Sequence, residues 1–495
     1  MDGFLSEPLP SGWRRARLSE IIEPPESVNP SSAFLGRDTF SYVSLTAVEP
    51  GRIVGPELIC PASAPSRARQ RIRLGDTLFS CVRVYLEKVV RVPATLDGEV
   101  CSTAFAVLRP RSGINSDYLY WLTRCPEFMR LAQARQKGNS PPAIQEADLK
   151  AVEVPIAPIA EQPRIVAAVS ALFEEIETGE VALARARESL TQFRASLLHA
   201  ACTGALTAEW RATNATNETG QALLQDVLAA REANGRARNR PILEPDAAGL
   251  ISLPQGWCWA TVDQLTNFLG NGLARAPDGE STDRHILRIS AVRPLNVNFA
   301  EHRFYRPLPG ENLTSATTQR NDLLFTRYSG SEQYVGVCGL VRFDEPTLFP
   351  DKVMCARPLP NFPELAEYLQ IALNAGPSRA YITKNIRTTA GQKGIAGSSI
   401  RACPVPLPPR HEVIEIVRAY HDAHNGISEL PTHEFALSLR QSILHAAFTG
   451  RLVPQDPTDE PAEALLARLR ATPTPARRPR QRRGATQPDL IETEA

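Results

Sequence analysis

Apolar residues recur at alternating four- and three-residue steps from Ile165 through Val169, Leu172, Ile176, Gly179, Leu183, Ala186, Leu190, Phe193 and Leu197 to Ala200. Such spacing, held for about five heptads, predicts one long helix with a continuous apolar seam that seeks a partner helix. Gly204 then stands where a helix C-cap belongs. The helix is therefore expected from Glu161 to Thr203, about 65 Å long at about 1.5 Å per residue. A second, shorter seam runs through Ile416, Tyr420, Ala423, Ile427 and Leu430, then Ala436, Leu439, Ile443 and Ala446. Pro431 interrupts it and predicts a kink or break. Ahead of each helix lie short strand-like runs, such as "TFSYVSL", "STAFAVLRP" and "DLLFTRYSG", punctuated by Gly and Pro. Helical patches follow around residues 118–134 and 364–375. A Pro-rich hinge, "VPIAP" or "VPLPP", then leads into each long helix and is not expected to continue a strand.

The same order of elements occurs twice because the sequence itself repeats. "LPSGW" (9–13) is answered by "LPQGW" (253–257), "LGDTLFS" by "RNDLLFT", and "SLLHAACTGAL" (196–206) by "SILHAAFTGRL" (442–452). A unit of about 245 residues is too long for a solenoid repeat and fits a duplicated domain with an appended helix. Each seam finds its partner in the other half. The fold class is therefore α/β (mixed α+β): two pseudo-twofold-related domains, each followed by a long helix, with the two helices packed as an antiparallel coiled coil. The seam positions expected to meet are Ile165, Val169, Leu172, Ile176, Leu183, Leu190, Phe193 and Leu197 on one helix. On the other they are Ile416, Tyr420, Ile427, Leu439 and Ile443. His199 and His445 mark one place in two equivalent arms, which favours packed or capping histidines.

Composition narrows the class. At 495 residues more than one core is expected. There is no run of 18 or so apolar residues and no N-terminal apolar signal region, so membrane association is not expected. The nine cysteines are scattered without a CxxC pair. That argues against a zinc ribbon and fits a reducing, cytoplasmic setting. Net charge is +1, so bulk charge announces no nucleic acid. Arg67, Arg69, Arg71 and Arg73 alternate along one expected strand face, and Arg477, Arg478, Arg480, Arg482 and Arg483 crowd a Pro-rich tail expected to be disordered.

The twice-repeated "LPxGW", the "VPIAPIAEQ" and "VPLPPRHE" hinges, the two helix-ending phrases and the trailing "RLVPQDPTDEPAEALLARLR" together resemble the specificity subunits of type I restriction-modification systems. The resemblance spans nearly the whole chain apart from the Arg-rich tail. It implies target recognition domains at 1–158 and 251–408, each reading half of a bipartite, asymmetric duplex site. It further implies a central spacer helix within 159–212, a linker with a short helix at 213–250, a second spacer helix within 409–455, and a short helix with the tail at 456–495. Implied partners are double-stranded DNA, two methyltransferase subunits and a translocating nuclease subunit. S-adenosylmethionine would sit on the methyltransferase, with no cofactor in this chain.

Residues for catalysis are not found in the sequence. There is no GxxxxGK[ST] loop. "NSPPA" at Asn139 lacks the stacking aromatic of an adenine methyltransferase turn. "FLGNG" (268–272) matches FxGxG formally and is read as a glycine-bearing turn. His421, His424 and His433 lack the ligand set of a metal site. Base readout calls for polar side chains able to make several hydrogen bonds, carried on loops. The candidates are Arg83, Tyr85, Lys88, Arg135, Lys137 and Asn139 in the first half. In the second they are Arg327, Tyr328, Gln333, Arg387, Gln392 and Lys393, at matching places in the repeat. Two other readings stay open: a self-sufficient adenine methyltransferase using "FLGNG", and an adaptor whose duplicated domains bind protein.

Overall fold

The computed structural model describes residues 8–138, 141–214, 217–233, 241–246, 249–281, 283–389, 392–425, 431 and 433–472. It divides into two compact units, Met1–Leu183 with Pro431–Ala495, and Ala184–Leu430. The boundary between Leu183 and Ala184 falls inside the long helix Glu161–Thr203. Each unit therefore combines the strand-rich part of one repeat with the helix end of the other.

Both units use the same sheet. In the first unit Ile22–Glu23, Phe105–Pro110, Thr77–Ser80 and Val89–Arg91 lie side by side in that order. In the second, Thr266–Asn271, Val353–Pro358, Leu323–Thr326 and Cys338–Leu340 repeat the order. A matched ion pair is built into both sheets. Arg109 grips Asp76 with Nε to Oδ1 at 2.9 Å and Nη2 to Oδ2 at 2.7 Å, and Arg357 grips Asp322 at 2.6 and 2.7 Å. Burial works against each guanidinium charge, but the carboxylate's hydrogen bonds and charge outweigh it and hold the arginine above its ordinary value.

The Pro-rich hinges do form strands, contrary to the sequence expectation. Glu153–Ile156 pairs antiparallel with Arg14–Arg17, and Pro404–Leu407 with Cys258–Thr261. Each pair is a sheet of its own, so every strand is an edge and the missing proline N–H can face away from the partner. Buried tyrosines lock the hinges: the Tyr118 hydroxyl donates to the Pro155 carbonyl at 3.1 Å, and Tyr368 to that of Pro406.

Two indoles tie each "GW" phrase to a helix start. Trp13 Nε1 donates to Glu161 Oε2, and Trp257 Nε1 to Glu412 Oε2, both at 2.9 Å. The duplicated glycine phrases close over the same motifs. Gly204 and Gly450 have φ +76° and +72°, the left-handed cap conformation. A Cβ on Gly204 would lie 2.6 Å from Pro254 Cγ, and one on Gly450 would lie 2.3 Å from Pro10 Cγ. The repeated phrase thus fits the end of each arm onto the "LPxGW" motif of the opposite repeat.

The second arm is two helices, Arg410–Asn425 and His433–Phe448, with Pro431 non-helical between them. In the first unit Ile165 and Val169 share a core with Leu444, Ala447 and Phe448, while Arg440 grips Glu180 at 3.1 and 2.7 Å. In the second unit Leu197 and Ala201 share a core with Val413, Ile416 and Tyr420, and Arg194 lies near His424. Rising numbers on one helix meet falling numbers on the other, so the pairing within each unit is antiparallel. The seam is not buried throughout. Leu172, Ile176, Leu183, Leu190 and Ile443 are half-buried, Gly179 and Ala186 are exposed, and Phe193 and Leu439 are 49% and 38% exposed. Ile427 and Leu430 lie outside the described residues. The two arm histidines also differ. His445 Nδ1 pairs with Glu127 Oε1 at 2.8 Å, whereas His199 is exposed.

Among the described residues no helix is long and apolar enough to cross a membrane. The short trailing helix is Ala462–Ala471, and the Arg-rich tail lies outside the description.

Candidate nucleic-acid interface

The candidate loops come together in both units. In the first, Val82 and Lys137 each bridge to Ala143, and the Arg83 N–H donates to the Pro142 carbonyl. In the second, Tyr328–Ser329 pairs with Gln392–Gly394, which pairs with Arg387–Thr389. The register follows from the closing bonds: Ile144 N–H donates to Cys81 O, and Ile395 N–H to Arg327 O. Lys137 and Arg387 are then equivalent, since each stands across from the central partner, Ala143 or Gly394. Arg83 and Arg327 are not equivalent. Arg327 stands at the place of Cys81, Tyr328 at that of Val82, and Ser329 at that of Arg83. The loops match while the side chains that they present differ.

Local backbone explains the exposure. Arg83 and Glu87 both adopt left-handed φ, at 52° and 50°, on either side of a single 3-10 turn. That conformation is costly for non-glycine residues and marks a loop held by its surroundings. It leaves Tyr85 55% exposed, outside the core. In the second unit Gly394 permits close approach, because a Cβ there would lie 2.4 Å from the Tyr328 ring. Arg327 stacks over the same ring at 4.9 Å, and its Nε is buried without a hydrogen-bond partner.

Several candidates are already engaged. Lys88 Nζ donates to the Leu45 carbonyl at 2.8 Å, Lys137 pairs with Asp148 at 2.8 Å, and Lys393 pairs with Glu332. Arg135 and Arg387 donate to nearby carbonyls, of Leu131 and Lys384 respectively. Gln333 and Gln392 are exposed, and Asn139 lies outside the described residues. The alternating arginines are less available than their spacing implied. The strand covers only Ala68–Arg71, and Glu26 pairs with both Arg71 and Arg73.

The motifs set aside in the sequence have structural explanations. "FLGNG" enters a strand, Thr266–Asn271, instead of a turn. Its glycines admit close packing: a Cβ on Gly270 would lie 2.6 Å from the Phe268 ring, and one on Gly272 would lie 2.0 Å from the Phe349 carbonyl. His421 faces Glu367 at 3.5 Å, and His424 stacks on Tyr420. Burial and the nearby Arg194 push His424 below its ordinary value. Among the described residues no cluster of three His, Cys, Asp or Glu could hold a metal ion. Burial pushes the Cys81 thiol beside Arg83 up to about 12, which disfavours the thiolate a nucleophile needs.

Sequence reasoning missed Arg293 and Lys352, which line one cavity with Tyr328 and Gln392. They come from separate strands and loops, and no spacing rule connects them.

No protein-family model matches the chain. It is 29% identical over 386 residues to the type I restriction enzyme EcoKI specificity subunit of Escherichia coli strain K12, covering 74% of this chain and 73% of that one. It is 23% identical to the StySPI specificity subunit of Salmonella potsdam, across 94% of this chain and 96% of the relative. A chain from a solved type I restriction-modification complex superposes with a TM-score of 0.63 at 23% identity, over 90% of this chain and 99% of its own. The crystal structure of the HsdS subunit from Thermoanaerobacter tengcongensis gives 0.54 at 23%, with the same coverage. The solved structures share the fold, and these curated relatives are both named type I restriction enzyme specificity subunits; over most of its length the chain is similar to the specificity subunits of type I restriction-modification systems.

Proposed function

We propose that this chain is the non-catalytic subunit that gives a type I restriction-modification complex its DNA sequence, each unit reading one half of a bipartite, asymmetric duplex site. The observation carrying this reading is one frame used twice under different loops. The Trp–Glu and Arg–Asp bonds recur residue for residue, while Cys81, Val82 and Arg83 give way to Arg327, Tyr328 and Ser329. A shared frame with unlike reading surfaces suits two unlike half-sites. In this reading the paired helices separate the readers and dock two methyltransferase subunits, and a translocating nuclease subunit joins them in the cytoplasm. S-adenosylmethionine is bound by the methyltransferase, so the isolated chain is expected to bind none.

Coexpression with its methyltransferase subunit, followed by mapping of methylated adenines, tests the proposal. A gapped motif with two unrelated halves is expected. A chain that supports no sequence-specific methylation, or that methylates alone, contradicts it.

A further inference from the structure

The second unit holds two adjoining cavities, of 270 and 520 Å³, that share Ile289, Ser290 and Lys352 as a common wall. The smaller is lined by Arg293, Tyr328, Tyr334 and Gln392, and the larger by Arg288, Arg303 and Asp351. Arg293 stacks over Tyr334 at 4.9 Å, as Arg327 does over Tyr328, so both planar forks are held against aromatic rings.

Most of the cations around the two cavities lack a carboxylate partner. Arg306, Arg342 and Arg357 of the same unit are each paired with a carboxylate, as is Arg275 in the wall of the larger cavity. Among the described residues, Arg288, Arg293, Arg303, Arg327 and Lys352 have no carboxylate within 4.0 Å. Arg288 and Arg293 donate to backbone carbonyls only. Asp351 is the one acidic residue lining either cavity. Uncompensated cations gathered around a groove favour a polyanion.

We infer that these cavities seat the second half-site of duplex DNA, with a division of labour between them. Arg288, Arg303 and Lys352 hold phosphates, while Arg293 and Gln392 reach base edges beside the two tyrosines. The phosphate contacts fix register and the forked or amide groups discriminate bases. This rests on the DNA-reading proposal above and adds its residues.

The test measures duplex binding by the complex of this chain with its methyltransferase, across a salt series and a set of single-base changes in each half-site. Arg288→Ala, Arg303→Ala and Lys352→Ala are expected to weaken binding about tenfold on every sequence, each lowering the salt slope by roughly one. Arg293→Ala and Gln392→Ala should lose about tenfold discrimination in the second half-site alone. Arg293→Lys should keep affinity and lose discrimination, because the charge remains and the fork does not. Arg342→Ala, which breaks the pair with Glu367, serves as the control and should bind as the wild type does. Cavity variants that behave like this control while the wild type binds its site overturn the inference, as do effects confined to the first half-site. A wild-type complex that binds no duplex removes the DNA-reading proposal itself.

Discussion

The first unit holds Glu161 with neutral partners, the Trp13 indole at 2.9 Å and the Gln455 amide at 2.6 Å. The second holds Glu412 at the equivalent place with the Trp257 indole, the Thr207 hydroxyl at 2.6 Å and the Arg211 guanidinium. The effect on charge follows: burial outweighs the neutral hydrogen bonds and pushes Glu161 above its ordinary value. The hinge pairs and the sheet holding the Arg–Asp bond are common and the dispositions of charge are local, while the first unit adds a four-stranded sheet of Glu57–Ile59, Phe40–Val43, Val100–Ser102 and Ala68–Arg71 where the second adds two- and three-stranded ones. The repeat therefore keeps what fixes the hinge strands and helix starts, and varies what is built around them.

The strongest test of the shared frame removes the arginine of each sheet pair. Arg109→Ala and Arg357→Ala each strand a buried carboxylate and should cost about 3–5 kcal/mol in urea denaturation. The two losses should be similar; a neutral result in one unit would break the equivalence. The Trp–Glu ties should instead separate the units. Glu412→Ala is expected to cost about 2–4 kcal/mol, because it strands a guanidinium. Glu161→Ala should cost about 1–2 kcal/mol, having only neutral donors to lose. Equal losses would show that the partner's charge is irrelevant here.

The helix ends offer a finer comparison. Gly204→Ala and Gly450→Ala place a Cβ in the left-handed region and against Pro254 or Pro10. Each should cost about 1–2 kcal/mol, read as a fall in melting temperature. The smallest expected effect concerns acid. Burial raises Glu127, but hydrogen bonds from Cys125, from backbone and from His445 lower it more, so its carboxyl stays below the ordinary range. A lowered folded value means the contribution is present above about pH 4.3 and fades as pH falls through that lower value. Pro377, two residues after Ala375 at the start of the corresponding helix Gly376–Lys384, offers no such group. Glu127→Gln should cost about 1 kcal/mol at neutral pH and flatten the acid limb of the stability curve. An unchanged limb would contradict the assignment.

Much of the fold was legible because helix periodicity is local. The 4-3 spacing and Gly204 gave both ends of the helix Glu161–Thr203, and Pro431 gave the break in the second arm. Spacing does not report what lies opposite, so Phe193 reads as a seam residue and yet stands exposed. The prolines of "VPIAP" and "VPLPP" hid strands because proline rules speak against paired interiors, and these strands are edges. For the site, sequence order located the paired loops but misaligned Arg83 with Arg327, because register is set by bridges to Ala143 and Gly394. Arg293 and Lys352 were invisible for a simpler reason: only folding puts them beside Tyr328.

The most direct test of independent reading maps methylated adenines for two double variants, each coexpressed with the methyltransferase subunit. Arg83→Ala with Tyr85→Ala is expected to relax one half of the gapped motif, and Arg327→Ala with Gln392→Ala the other half only. Changes that spread across both halves, or a motif that survives both variants intact, would contradict the account.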